Sequence, residues 1–208
     1  MAGVWSCQPD TRIPMAQNGG RGVIAYDFTL RFRLTDISIA MDDRAERLFE
    51  AGCDDALVGT GRPGRIALAF TRGAASAREA VLSAMSDVLK AMPDAQLIGA
   101  SPDLVGLTEV AEIMGFSRQN MRKLILGHGE LSPASVHEST PSLWHLADML
   151  NWLSGRGYAV DPTIADVARM TKQVNIAVQS AFADPGAQRE IAEALDDLAA
   201  ESQELGLY

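Results

Sequence analysis

From Ile24 to Leu34 (IAYDFTLRFRL) apolar and polar residues alternate. Ile24, Tyr26, Phe28, Leu30, Phe32 and Leu34 share one face, and Asp27, Thr29, Arg31 and Arg33 the other. A period of two predicts a half-buried strand. The period then lengthens. Asp42–Gly52 carries Ala45, Leu48 and Phe49 at helical spacing, with Gly52 as its stop. Asp54–Thr60 and Arg65–Arg72 are short strand-like runs, and Gly61–Gly64 (GRPG) between them has the composition of a hairpin turn. Ser76–Met92 is an amphipathic helix, in which Ser76 and Glu79 fit a capping box. Ala95–Ser101 is a last short strand. The order β-α-β-β-α-β predicts a ferredoxin-like unit over 23–101.

The pattern changes at Pro102. Residues 102–158 read as short helices, a Gly/Pro-containing loop and a Trp-bearing segment. Residues 159–208 read as two helices, about Thr163–Ala183 and Gln188–Leu205, separated by ADPG. Residues 1–22, rich in Gly, Pro, Gln and Asn, read as a loose tail. The expected fold class is α+β: a ferredoxin-like domain, a winged helix-turn-helix over 102–158, and a C-terminal helical segment.

The helix-turn-helix expectation comes from residue types at fixed positions. With Leu107 as the first, Ala111 is the fifth, Gly115 the ninth, Met121 the fifteenth and Leu124 the eighteenth. The fifth must be small, because two helices cross there. The ninth favours glycine, because the turn requires positive φ. The last two must be apolar to hold the second helix on the first. Ser117 is placed to cap that second helix. Its outward side then carries Arg118, Gln119, Asn120, Arg122 and Lys123. Arginine pairs bidentately with guanine, glutamine or asparagine with adenine, and Lys and Arg neutralise phosphates. Arg118, Gln119 and Arg122 are best placed for a groove, with Asn120 and Lys123 at the flank or on phosphate. The competing reading is a solvated helical hairpin of a globular protein.

Composition and charge bear on that choice. The chain has 208 residues, 47% hydrophobic and 22% charged, enough for a sizeable core. The net charge of −9 argues against a polyanionic partner. Its distribution weakens the objection: residues 159–208 hold 3 basic and 9 acidic side chains, whereas Ser117–His128 holds three cations and no acid. Two isolated cysteines, Cys7 and Cys53, exclude a disulfide scaffold and suit a reducing cytosol. The N-terminus lacks the pattern of a signal peptide, and no stretch approaches the ~20 apolar residues of a membrane span.

GLTEVAEIMGFSRQNMRKLI resembles the DNA-binding domain of the MerR/excisionase-like winged helix-turn-helix superfamily. The likeness spans about Leu104–Gly157. The whole arrangement, with its GCDDA segment and PDLVG junction, resembles a group of bacterial DNA-binding proteins with an N-terminal α+β domain. The resemblance implies a basic hairpin wing after the recognition helix, then a Trp-bearing strand and a short closing helix. Leu131–Val136 would be the first wing strand, and Ser142–Leu153, with Trp144 and Trp152, would close the domain. The wing departs from the family: Glu130, His137, Glu138, Ser139 and Thr140 stand where Arg or Lys is usual. His128, His137 and Ser139 remain as its phosphate-contacting candidates.

Other constellations have plainer readings. His128, His137 and His145 lack metal-ligand company and read as polar surface. GTGRPG lacks the Lys-Ser/Thr end of a phosphate loop. Cys53–Asp55 reads as a helix end and a polar strand start, and Trp144 and Trp152 as core. No catalytic constellation, metal site or cofactor is expected. The apolar stripes of the C-terminal helices (Ile164, Val167, Ala168, Met170, Val174 and Ile176; then Ile191, Leu195, Leu198 and Leu205) predict a homodimer, with a protein partner or folding back on the N-terminal domain as alternatives. The functional expectation is a cytoplasmic, nucleoid-associated regulator binding double-stranded DNA. The alternative is an antitoxin-like adaptor or complex subunit.

Overall fold

In β1 (Ile24–Leu34) the side chains of Tyr26, Phe28, Leu30, Phe32 and Leu34 are buried, while Asp27, Arg31 and Arg33 between them are exposed. The alternation arises because successive Cβ atoms of a strand point to opposite faces. β3 (Arg65–Ala74) does the same, burying Ile66, Leu68, Phe70, Arg72 and Ala74. Phe28 and Phe70 stack with centroids 5.3 Å apart. The computed structural model describes residues 23–128, 132–138 and 140–204. The expected tail (1–22) with Cys7, and Glu130, Leu131, Ser139 and Leu205, lie outside the described residues.

β2 (Ala56–Arg62) and β4 (Ala95–Ser101) complete a four-stranded sheet of order β2-β3-β1-β4, all neighbours antiparallel. α1 (Met41–Glu50) and α2 (Ala77–Ala91) cover its apolar face. Ser76 caps α2, its hydroxyl accepting from the Glu79 N–H at 3.2 Å, while Glu79 accepts from the Ala75 N–H. α1 stops where Gly52 takes φ +90. The fold is mixed α+β, with seven helices among the described residues.

The β2–β3 turn is tighter than its composition suggests. Arg62 pairs with Arg65, leaving only Pro63 and Gly64 in the turn, with Gly64 at φ +70. β2 also begins later than expected, at Ala56, although the Asp55 carbonyl already accepts from the Thr71 N–H at 3.1 Å. The buried Arg72 guanidinium donates to Asp55 (Nε, 2.7 Å), Asp87 (Nη1, 2.8 Å) and the Gly52 carbonyl (Nη2, 2.9 Å). Arg44 is likewise buried, bonded to both oxygens of Asp94 at 3.0 and 2.9 Å and to the Asp36 carbonyl.

A second core follows. β5 (Leu104–Val105) pairs with β6 (Trp144–His145). α3 (Leu107–Ile113), α4 (Arg118–His128) and α5 (Leu146–Ser154) pack Val110, Ala111, Met121, Leu146, Met149, Leu150 and Leu153 around it. Trp152 is buried, but Trp144 is a half-buried strand residue, and the helix starts only at Leu146.

α6 (Pro162–Ser180) differs from the dimerisation expectation. Val167 and Val174 enter the sheet core and Ala168 enters the second core, so one helix walls both. Its stripe is covered within the chain, apart from Ile176, which is 42% exposed. α7 (Pro185–Glu204) behaves otherwise: Ile191, Leu195 and Leu198 are 53%, 61% and 59% exposed. No helix among the described residues is long and apolar enough to cross a membrane.

Candidate nucleic-acid interface

α3 and α4 meet at a turn that their sequence requires. Glu109 accepts from the Gly106 N–H at 2.7 Å and so fixes the start of α3. After Met114 the chain reverses at Gly115, with φ +68. The Phe116 N–H reaches back to the Ala111 carbonyl at 2.7 Å, closing the end of α3. A Cβ at Gly115 would meet nothing within 4 Å, so its conformation alone selects glycine. Ser117 Oγ then accepts from the Asn120 N–H at 3.1 Å and caps α4. Ala111 and Met121 are 1% and 0% exposed, as the crossing and the packing positions require.

With Met121 inward, helical spacing fixes the rest of α4. Ser117, Arg118, Gln119, Asn120, Arg122 and Lys123 are all exposed. Gln119, Arg122, Lys123 and Leu126 lie opposite the packed side. Arg118 and Arg122 line a cleft of about 570 Å³ together with Thr140, Pro141 and Ser142. Asn120 lies on the other flank. None of the three cations of α4 has an acidic partner among the described residues.

Leu126 was not singled out by sequence. It is 69% exposed on the outward side of α4, where an apolar side chain can contact a thymine methyl. It closes the apolar run Leu124–Leu126, which reads as core and hid it.

The wing is small. His137 bridges to Leu143: the Leu143 N–H donates to the His137 carbonyl at 3.1 Å. Trp144 Nε1 donates to the Pro133 carbonyl at 3.2 Å and fastens the wing to the domain. The His137 side chain is exposed. His128 is less available. Its Nδ1 donates to the Leu124 carbonyl at 2.8 Å, and its ring meets Trp152 edge-on at 5.7 Å, so only Nε2 is left for a phosphate.

His145 is a correction. It is not a free surface residue but part of a junction. Its Nδ1 lies 2.6 Å from buried Asp103, whose other oxygen accepts from Asn175 of α6 at 2.7 Å. Asn175 also bonds both backbone groups of Ala100, at 2.7 and 2.8 Å. Thr171, fully buried, has its hydroxyl within hydrogen-bond reach of the Pro102 and Val167 carbonyls, either of which can accept its one proton. The second core is thereby tied to the sheet through α6.

No known family matches the chain, and neither a curated protein nor a solved structure does.

Proposed function

We propose that the chain binds double-stranded DNA sequence-specifically, as a dimeric, nucleoid-associated transcriptional regulator of the cytoplasm. In this reading residues 102–158 are a winged helix-turn-helix with α4 as its recognition helix. The strand order β2-β3-β1-β4 supports a ferredoxin-like assignment for 23–101. The observation that carries the function is the Gly115 turn, which turns an acid-free helix face bearing Arg118, Gln119 and Arg122 to solvent. A duplex major groove admits a helix presenting such donors. The weakly equipped wing leaves phosphate contact to α4, chiefly Lys123 and Asn120.

The test is duplex affinity against salt, for wild type and Arg122→Ala. Loss of a bidentate base contact costs about 1–3 kcal/mol. Binding that is independent of salt and of this substitution would remove the reading.

A second reading, a protein-interaction adaptor, is favoured by α7. Its exposed Ile191 and Leu195 stand among Glu190, Glu193, Asp196 and Asp197. Deleting 184–208 separates the two: loss of a heterologous partner with DNA binding intact supports the adaptor, and loss of the homodimer supports the regulator.

A further inference from the structure

The open face of the sheet carries a row of like charges. Arg62 at the end of β2 stands opposite Arg65 of β3, and Arg65 stands opposite Arg33 of β1. Arg31 lies two residues along β1 on the same face. Residues paired this way have Cβ atoms about 4.5–5.5 Å apart, and like charges there destabilise a sheet. All four arginines are exposed, and none has an acidic partner among the described residues. Gly59, Gly61 and Ala67 floor a shallow concavity of about 320 Å³ beside Arg31, Arg62 and Arg65. Small side chains leave the guanidinium groups approachable. The row is uncompensated within a chain of net charge −9, and an anion would relieve its repulsion.

Its position indicates which anion. Arg31 also lines a cleft of about 690 Å³ between the open face and residues 100–105, whose far wall is Glu109. Glu109 in turn lines the cleft that holds Arg118 and Arg122. Neighbouring concavities thus share Arg31 and then Glu109, so the arginine row, the middle cleft and α4 follow one another along the surface. The middle cleft keeps three carboxylates, each hydrogen-bonded to a neutral donor and still charged: Asp27 accepts from Thr71 at 2.7 Å, Asp103 from Asn175, and Glu109 from Gly106. Cations therefore stand at both ends of a recessed middle. A small phosphate ligand would use one end only. A duplex, stiff over about 150 bp, bridges both.

We infer that the arginine row is a second phosphate-contact surface for the duplex that α4 engages, receiving backbone that flanks the helix-turn-helix site. The inference rests on the DNA-binding reading of α4. The test uses the full chain on duplexes of about 12 bp and about 35 bp, with affinity measured against salt, because each neutralised phosphate contributes about 0.9 to the log–log slope. For R31Q/R33Q/R62Q/R65Q the slope on the long duplex is expected to fall by about 3 to 4, with the short duplex unaffected. The double variant R33Q/R65Q should give about half that fall. Removing like-charge pairs should leave both variants at least as resistant to urea as wild type, so misfolding is detectable. An unchanged slope on the long duplex overturns the inference. So does a change in oligomeric mass with DNA binding intact, which would make the occupant protein. If Arg122→Ala alone weakens binding, the α4 reading stands and this surface falls. If only the sheet variants weaken binding, the surface binds phosphate and the α4 reading falls.

Discussion

Gly115 sits at φ +68 in open space, so its substitution isolates a backbone effect. Gly115→Ala is expected to cost about 1–2 kcal/mol, the penalty of a Cβ in the left-handed region. It should appear as a lower urea midpoint at unchanged m-value, and DNA affinity should fall as α4 loses its angle. Asp94 is a second single-residue lever. Hydrogen bonds from Arg44 hold its carboxyl below the ordinary 3.8. A depressed folded value means the contribution is present above the unfolded pKa. It is lost as pH falls through the still lower folded value. Asp94→Asn should therefore flatten the acid limb of stability below about pH 4. At neutral pH it should cost about 3 kcal/mol, because Arg44, 1% exposed, keeps a buried charge without its partner. Urea unfolding across pH checks both. Cys53 needs no functional role: burial pushes its thiol pKa up, which suits an inert core cysteine.

At the scale of elements, the proposed function rests on α4. If Lys123 touches phosphate, Lys123→Ala should lower affinity about equally for all sequences and reduce the salt slope by about 1. Arg122→Ala should instead relax specificity at one position of a selected site. Binding-site selection on random DNA distinguishes the two outcomes. α4 was legible because a helix repeats every 3.6 residues, so Met121 and Leu124 inward leave Gln119, Arg122 and Lys123 outward without knowledge of the rest of the fold. β1 was legible by the same logic at period two. The two-residue β2–β3 turn was less so, since GRPG does not say that Arg62 remains in the ladder. For α6 the alternative of folding back within the chain holds. Its stripe is the same whether a neighbour or a second chain covers it, and only the docking of Val167, Ala168 and Val174 decides.

For the whole molecule, α6 joins the two cores and α7 stands apart from them. None of the described side chains of α7 joins either core, so removing 184–208 should leave the unfolding free energy from urea denaturation within about 0.5 kcal/mol of wild type. If α7 carries the dimer, the same truncation should halve the mass by light scattering. A dimer that survives would place the interface elsewhere. The junction of Asp103, His145 and Asn175 was invisible in the chain, its members being 42 and 72 residues apart in sequence. The row of Arg33, Arg62 and Arg65 was hidden for the same reason, since strand register brings them together and composition does not. The sequence by itself determined the periods, the caps, the glycine turn and the acid-free face of α4, because backbone geometry sets these within a few residues. Only the tertiary structure decided which stripe is covered, which histidine is engaged and which arginines stand side by side. Those outcomes depend on burial and pairing between segments far apart along the chain.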